Sequence, residues 1–137
     1  MRRLPEQRLW DWLRTRMGLL WFAHRVENRA GTGTPDLYLC SHGMAGWAEL
    51  KVLPKWSGRI RHWTPEQQIF VRAHQRQAGI TWLVVQIEHE LLIANGAWAV
   101  ELFDGCTEAE IRHACHILDM RKAKGHDVLV ALRSCVL

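Results

Sequence analysis

The chain has 137 residues, 48% hydrophobic and 23% charged, which predicts one domain with a core large enough to need no covalent staples. Eighteen Lys and Arg against fourteen Asp and Glu leave a formal charge of +4, a balance that suits a polyanionic partner without requiring one. No apolar run approaches the roughly 18 residues of a membrane helix, no leader segment is recognisable, and Cys40, Cys106, Cys115 and Cys135 stand at neither metal-finger nor redox spacing; the expectation is a cytoplasmic protein with reduced thiols and no membrane contact.

In chain order, Leu9, Trp10, Leu13 and Met17 recur at helical spacing and predict a helix from about Pro5 to Met17, ended by Gly18. A strand follows over about Leu20–Glu27, then a Gly-rich loop closed by Pro35, a short strand Asp36–Cys40, a turn, and a third strand Gly46–Leu53. The segment PKWSGRIRHW is a basic, aromatic loop. Thr64, Pro65 and Gln67 form a T-P-x-Q helix start, with Thr64 as N-cap and Gln67 as its capping-box partner, for a helix reaching about Ala78. Thr81–Ile87 is an apolar strand. A hairpin of Leu91–Ala94 and Trp98–Phe103 about Asn95-Gly96, a helix over Thr107–Lys122 and a strand over Asp127–Leu132 complete the prediction. The order implies an α/β fold, a mixed central sheet flanked by helices, with a core over about residues 5–90 and a C-terminal hairpin, helix and strand over 91–137 in the same domain.

The chemistry concentrates in TPDLYLCSHGMAGWAELKVL. Strand side chains alternate faces, so Glu49 and Lys51 point one way and Leu50 the other. A turn near residues 41–45 brings Asp36 opposite residues 49–51, so that two carboxylates and an amine share a face. Mg²⁺ takes oxygen ligands and keeps several waters; Asp36 and Glu49 offer two anionic oxygens and the Leu50 carbonyl a third. Such an ion polarises a phosphodiester and acidifies a water, while Lys51 is suited to orient that water or to offset charge on the phosphate. Glu-x-Lys alone is common on surface strands; the preceding Pro-Asp, the Gly-rich loop and the hairpin spacing are what single this one out.

The stretches GTGTPDLYL, GWAELKV and TPEQQIFVRAHQRQAGITWLVV resemble the VRR-NUC domain of the PD-(D/E)xK nuclease superfamily, over roughly Glu6 to Gln86. Pro35-Asp36 and Glu49-x-Lys51 match the superfamily motifs, and Pro65-x-Gln67 matches that domain's helix start. The resemblance implies a restriction-endonuclease-like fold of the Holliday junction resolvase kind, Mg²⁺ or Mn²⁺ dependence, and cleavage of branched DNA. It also implies small members that are often phage-encoded and act as homodimers. Gly33-Thr34 departs from the family's usual apolar residue before Pro-Asp.

Around this centre, the resemblance places an acidic residue of the first helix near the metal, and Glu6 lies on that helix's apolar stripe; the macrodipole alone would also favour it there. Asp11 lies off the stripe and is read as solvated. Gln67 is read both as a capping-box residue and as a neighbour of the site. Glu27 and Arg29 precede the Gly loop, where they can meet a phosphate or simply be solvated; Gly31 and Gly33 allow a DNA backbone to come close or merely make a turn. Lys55, Trp56, Arg59, Arg61, His62 and Trp63 join cations to aromatic faces, for which phosphate contact and base stacking are expected; the alternative is a solvated loop with one Trp in the core. His113 and His116 lie a turn apart, but Cys115 points elsewhere, so no zinc site is expected.

The leading function is therefore a metal-dependent endonuclease selective for branched DNA such as Holliday junctions, a homodimer with no small-molecule cofactor. The alternatives are another nuclease of the superfamily (nicking, flap-cutting or restriction-like) and a non-catalytic DNA-binding or virion protein on the same fold. None of this accounts for eight Trp residues against one Tyr and three Phe.

Overall fold

Apolar residues at three- and four-residue spacing commit the first segment to a helix, α1 (Pro5–Met17), whose Leu9, Trp10, Leu13 and Met17 are buried. Gly18, at φ +48°, leads into a short 3-10 turn, Gly18–Leu20. In the computed structural model, which describes residues 5–26, 35–58, 60, 63–101 and 105–136, three strands follow: β1 (Phe22–Arg25), β2 (Leu37–Ser41) and β3 (Met44–Leu53). β2 and β3 are joined by His42 and Gly43 at φ +48° and +80°, the left-handed pair that suits the twist of a tight hairpin. Then come α2 (Pro65–Arg76), β4 (Ile80–Ile87), β5 (Glu90–Asn95), α3 (Gly96–Glu101), α4 (Glu108–Ala114), β6 (His116–Asp119) and α5 (Gly125–Ser134).

The strands form one six-stranded sheet in the order β1-β2-β3-β4-β5-β6. Only β3 and β4 run parallel, with α2 in the crossover that parallel neighbours require; the other pairs are antiparallel. The fold is thus α/β with a mixed central sheet and flanking helices, as the sequence predicts. Alternation divides the core by face. Ala48 and Leu50 of β3, with Trp82 and Val84 of β4, pack with α1 and α5. Leu53, Leu83, Val85 and Ile87 face the other way, with Val71 of α2, Ile111 of α4, Ile60 and Trp63. Glu49 and Lys51 belong by alternation to this second face.

The C-terminal third departs from the sequence reading in three places. Asn95-Gly96 makes no hairpin turn. The Asn95 side chain accepts from the Ala97 N–H (2.9 Å) and donates to the Cys135 carbonyl (2.7 Å), so Asn95 caps α3 at its start and ties it to the end of α5. A Cβ on Gly96 would lie 2.1 Å from Thr81 Oγ1, so this glycine serves close packing. The hairpin joins β4 to β5 instead, through Glu88 and His89. The helix expected over Thr107–Lys122 stops at Ala114, and His116–Asp119 pairs with β5 as the edge strand β6. The strand expected over Asp127–Leu132 is α5: Val128, Leu129, Ala131 and Leu132 are buried while Val130 is exposed, a period of 3.6 rather than 2.

Half of the Trp surplus is core: Trp10, Trp21, Trp63 and Trp82 are buried. Trp82 meets Trp21 edge to face at 6.0 Å and donates from its indole N–H to the Leu132 carbonyl at 2.8 Å. That carbonyl lies in the last turn of α5, where intrahelical partners run out. Trp82→Phe should keep most of the packing and orphan the carbonyl, lowering unfolding free energy by about 1–3 kcal/mol; urea denaturation followed by circular dichroism measures it.

Candidate active site

The β2–β3 ladder ends at Leu37 opposite Ala48, so the next register position sets Asp36 against Glu49. Asp36 remains paired with β1, its carbonyl accepting the Val26 N–H at 2.8 Å. Pro35 has no N–H to continue the pairing with β3. The Asp36 carboxylate takes the ladder's place: the Leu50 N–H donates to Asp36 Oδ2 at 2.8 Å. The N–H and C=O of one antiparallel strand residue address the same neighbour, so the Leu50 carbonyl faces this same gap.

Glu49 and Lys51 are 5% and 6% exposed. Over them sits the start of α2. Thr64 Oγ1 accepts the Gln67 N–H (3.2 Å) and Gln67 Oε1 accepts the Thr64 N–H (3.1 Å), closing the capping box. Lys51 Nζ donates to the same Oε1 at 3.1 Å, and Gln67 Nε2 donates to Glu49 Oε1 at 2.7 Å. With its oxygen engaged by two donors, the Gln67 amide can only turn its NH₂ to the carboxylate. Lys51 Nζ lies 3.4 Å from Glu49 Oε1 and 5.9 Å from the centre of the Trp63 ring.

Burial, and then the negative charge of Asp36, push the Glu49 carboxyl up to about 8 despite the pull of Lys51. Its Oε2 is buried with no hydrogen-bond partner. A divalent cation relieves this strain directly, because it offsets the repulsion between the two carboxylates and satisfies the orphan oxygen. Two carboxylates are what Mg²⁺ commonly takes from a protein, water completing its shell, so the residues present fit such an ion. Among the described residues no group of three or more His, Cys, Asp or Glu side chains is arranged to hold a metal; that applies to His113, Cys115 and His116 as well.

The other sequence candidates fall differently. Glu6 is half-buried in the first turn of α1, and no hydrogen bond or ion pair joins it to Asp36 or Glu49 among the described residues. Trp63, expected to stack on bases, is 4% exposed; its ring is core and a wall beside Lys51, which corrects that expectation. Trp56 is half-buried and donates to the Cys106 carbonyl at 3.1 Å, while Lys55 is exposed. Glu27, Arg29, Gly31, Gly33, Arg59, Arg61 and His62 lie outside the described residues. The Trp63–Lys51 contact is what sequence reasoning missed: the alternative of one loop Trp in the core was open, but local spacing does not show which Trp folds inward or what it meets.

No family model matches the chain, and no curated protein matches it. Among solved structures it is similar to Hjc of Archaeoglobus fulgidus, a Holliday junction resolvase from an archaeal hyperthermophile, at 12% identity and a TM-score of 0.47, over 64% of this chain and 74% of that one. No helix among the described residues is long and apolar enough to cross a membrane.

The Glu49 shift has a signed consequence. The folded carboxyl, at about 8, binds its proton more tightly than the unfolded one, at 4.5. Its contribution is therefore full below pH 4.5 and is lost as pH rises through 8, by at most about 1.4 kcal/mol per unit. Glu49→Gln abolishes that loss. In EDTA, the thermal midpoint of Glu49→Gln relative to wild type should rise between pH 5 and pH 8; a constant difference across that range would contradict the buried-charge account.

Proposed function

We propose that the chain is a divalent-metal-dependent endonuclease, with Asp36 and Glu49 as metal ligands and Lys51 as the cation facing the scissile phosphate. The observation that carries this reading is the burial of Glu49 and Lys51 beside Asp36, with Glu49 Oε2 orphaned. Buried ionisable groups cost stability, and a pair of carboxylates pressed together has no structural purpose that apolar residues would not serve better. Strongly shifted groups of this kind collect at functional sites.

Bound between the carboxylates, Mg²⁺ or Mn²⁺ would act as a Lewis acid on the phosphodiester and acidify a water. Everything else falls to the protein. The Asp36 carboxylate is anchored on the Leu50 N–H at the gap between β2 and β3, and the Leu50 carbonyl faces that gap too. Gln67 fixes the Glu49 carboxylate by one hydrogen bond and Lys51 Nζ by another. Lys51 thereby presents a positive charge at a set position, able to orient an attacking water or to stabilise charge growing on phosphate oxygens. Glu6, at the start of α1, is a further candidate ligand. Lys55 and Trp56, with Arg29, Arg59 and Arg61, are candidate DNA contacts.

The substrate class rests on the sequence motifs, whose resemblance to VRR-NUC domains points to branched DNA, Holliday junctions included. Paired cuts across a two-fold axis need two sites, hence a homodimer. Purified protein with Mg²⁺ should cut a four-way junction faster than a linear duplex of the same arms. Asp36→Asn and Lys51→Ala should bind the junction and lose cleavage by about 10²-fold or more. Equal rates on the two substrates would remove the branched-DNA reading and leave the nuclease; full activity of Lys51→Ala would remove the site assignment.

A further inference from the structure

We infer that a row of rings on the site's own sheet face, Phe22, Tyr38 and Trp47, stacks unpaired bases of the DNA next to the cleaved bond; this rests on the nuclease reading above. Trp47 stands two residues before Glu49 on β3, so alternation puts it on the face of Glu49 and Lys51. Tyr38 pairs with Trp47 and His24 pairs with Tyr38, and residues set directly opposite share a face. Phe22, two positions before His24 on β1, joins them. The row therefore begins two strand positions, about 7 Å, from Glu49 and runs across β2 to the edge of the sheet. Ring centres lie 6.3 Å apart from Phe22 to Tyr38 and 5.5 Å from Tyr38 to Trp47, each pair edge to face. Phe70 of α2 closes the row 5.7 Å from Trp47 and is itself stacked on His74. Rings held against one another in this way lose little entropy when a further ring packs on them.

The other face of the same strands is core, with Leu37, Leu39 and Ala48 buried. On the site face Phe22 is 62% exposed, His24 is exposed, and Tyr38 and Trp47 are half-buried. An antiparallel margin that meets water usually turns polar side chains to it; this one turns aromatic rings. Size decides against a protein as occupant. The floor is three strands wide and four residues long, on the order of 200 Å², whereas a stable partner covers roughly 800 Å². One ring is enough for each stacked base. Phe22, His24, Tyr38, Cys40, Ala45 and Trp47 bring no carboxylate to the floor, so nothing on it repels a polyanion. Paired bases are already stacked within their duplex, so the platform selects bases opened at a branch or an end, beside a site that takes the phosphodiester.

The test is anisotropy of a short fluorescein-labelled oligothymidylate and of a labelled blunt duplex, both in EDTA. Phe22→Leu/Tyr38→Leu keeps the surface apolar and removes two rings; Phe22→Tyr/Tyr38→Phe keeps both rings. Val130→Ser, at an exposed position of α5 on the other side of the sheet, is the control. The leucine pair should bind oligothymidylate about tenfold or more weakly than wild type and leave duplex affinity unchanged; the ring-keeping pair and the control should match wild type on both. Absence of oligothymidylate binding by wild type, or equal binding by the two pairs, would overturn the inference. So would a dimer that Phe22→Ser splits into monomers in sedimentation velocity while oligothymidylate affinity stays unchanged, since the face would then belong to a second copy. Wild-type cleavage of a four-way junction with Mg²⁺ is scored separately. Cleavage combined with equal binding by the two pairs sinks the platform alone, whereas the predicted binding pattern without cleavage sinks the nuclease reading and keeps the platform.

Discussion

The Glu49 carboxylate sits inside the protein next to a second carboxylate, and the surrounding geometry exists to keep it there. Its charge is opposed first by burial and then by Asp36, and is only partly offset by Lys51. Left to packing alone, such a group would swing to solvent or be replaced by an apolar side chain. Three restraints prevent the first: the central strand it belongs to, the ion pair at 3.4 Å, and the Gln67 amide at 2.7 Å. The strain is thus confined to one atom, Oε2, and one interaction, the repulsion from Asp36. Both are what a divalent cation removes.

The fold supplies these restraints from segments far apart in the chain. The pairing of β2 with β3 begins only at Leu37, one residue after Asp36, and that opening lets Asp36 satisfy the Leu50 N–H with a side chain rather than a carbonyl. The crossover from β3 to β4 brings the N-terminus of α2 back over β3, so that a helix cap becomes part of the site. Gln67 serves both purposes with one amide, because its oxygen accepts from Thr64 and Lys51 at once. Losing it would fray the helix start and release both charged groups together.

Much of this was legible from spacing. Strand alternation puts Glu49 and Lys51 on one face, and a turn near residues 41–45 brings Asp36 opposite residues 49–51; both rules are local, and the structure narrows the turn to His42-Gly43 and the register to Glu49. Thr64-x-x-Gln67 announced its cap for the same reason, and the capping geometry then carried Gln67 to the site. What failed was decided by distant partners. Trp63 looks like a stacking residue in a basic loop, yet it is buried with Ile60, Leu53 and Ile111. Asn95-Gly96 reads as a hairpin turn until Cys135 and Thr81 claim its side chain and its space. The Val-Leu-Val run of α5 resembles a strand in isolation; only burial against α1 and the sheet reveals its helical period.

The central claim, that Asp36 and Glu49 together await a divalent cation, is tested most directly by calorimetric titration of the protein with Mn²⁺ at pH 7 in buffers of different ionisation enthalpy. Because metal takes the ionised carboxylate, and burial holds Glu49 protonated up to about 8, binding should release about one proton per ion from wild type. Glu49→Gln should release none, and Asp36→Asn should bind far more weakly. Absence of Mn²⁺ binding by wild type, or binding that Asp36→Asn leaves unchanged, would contradict the account.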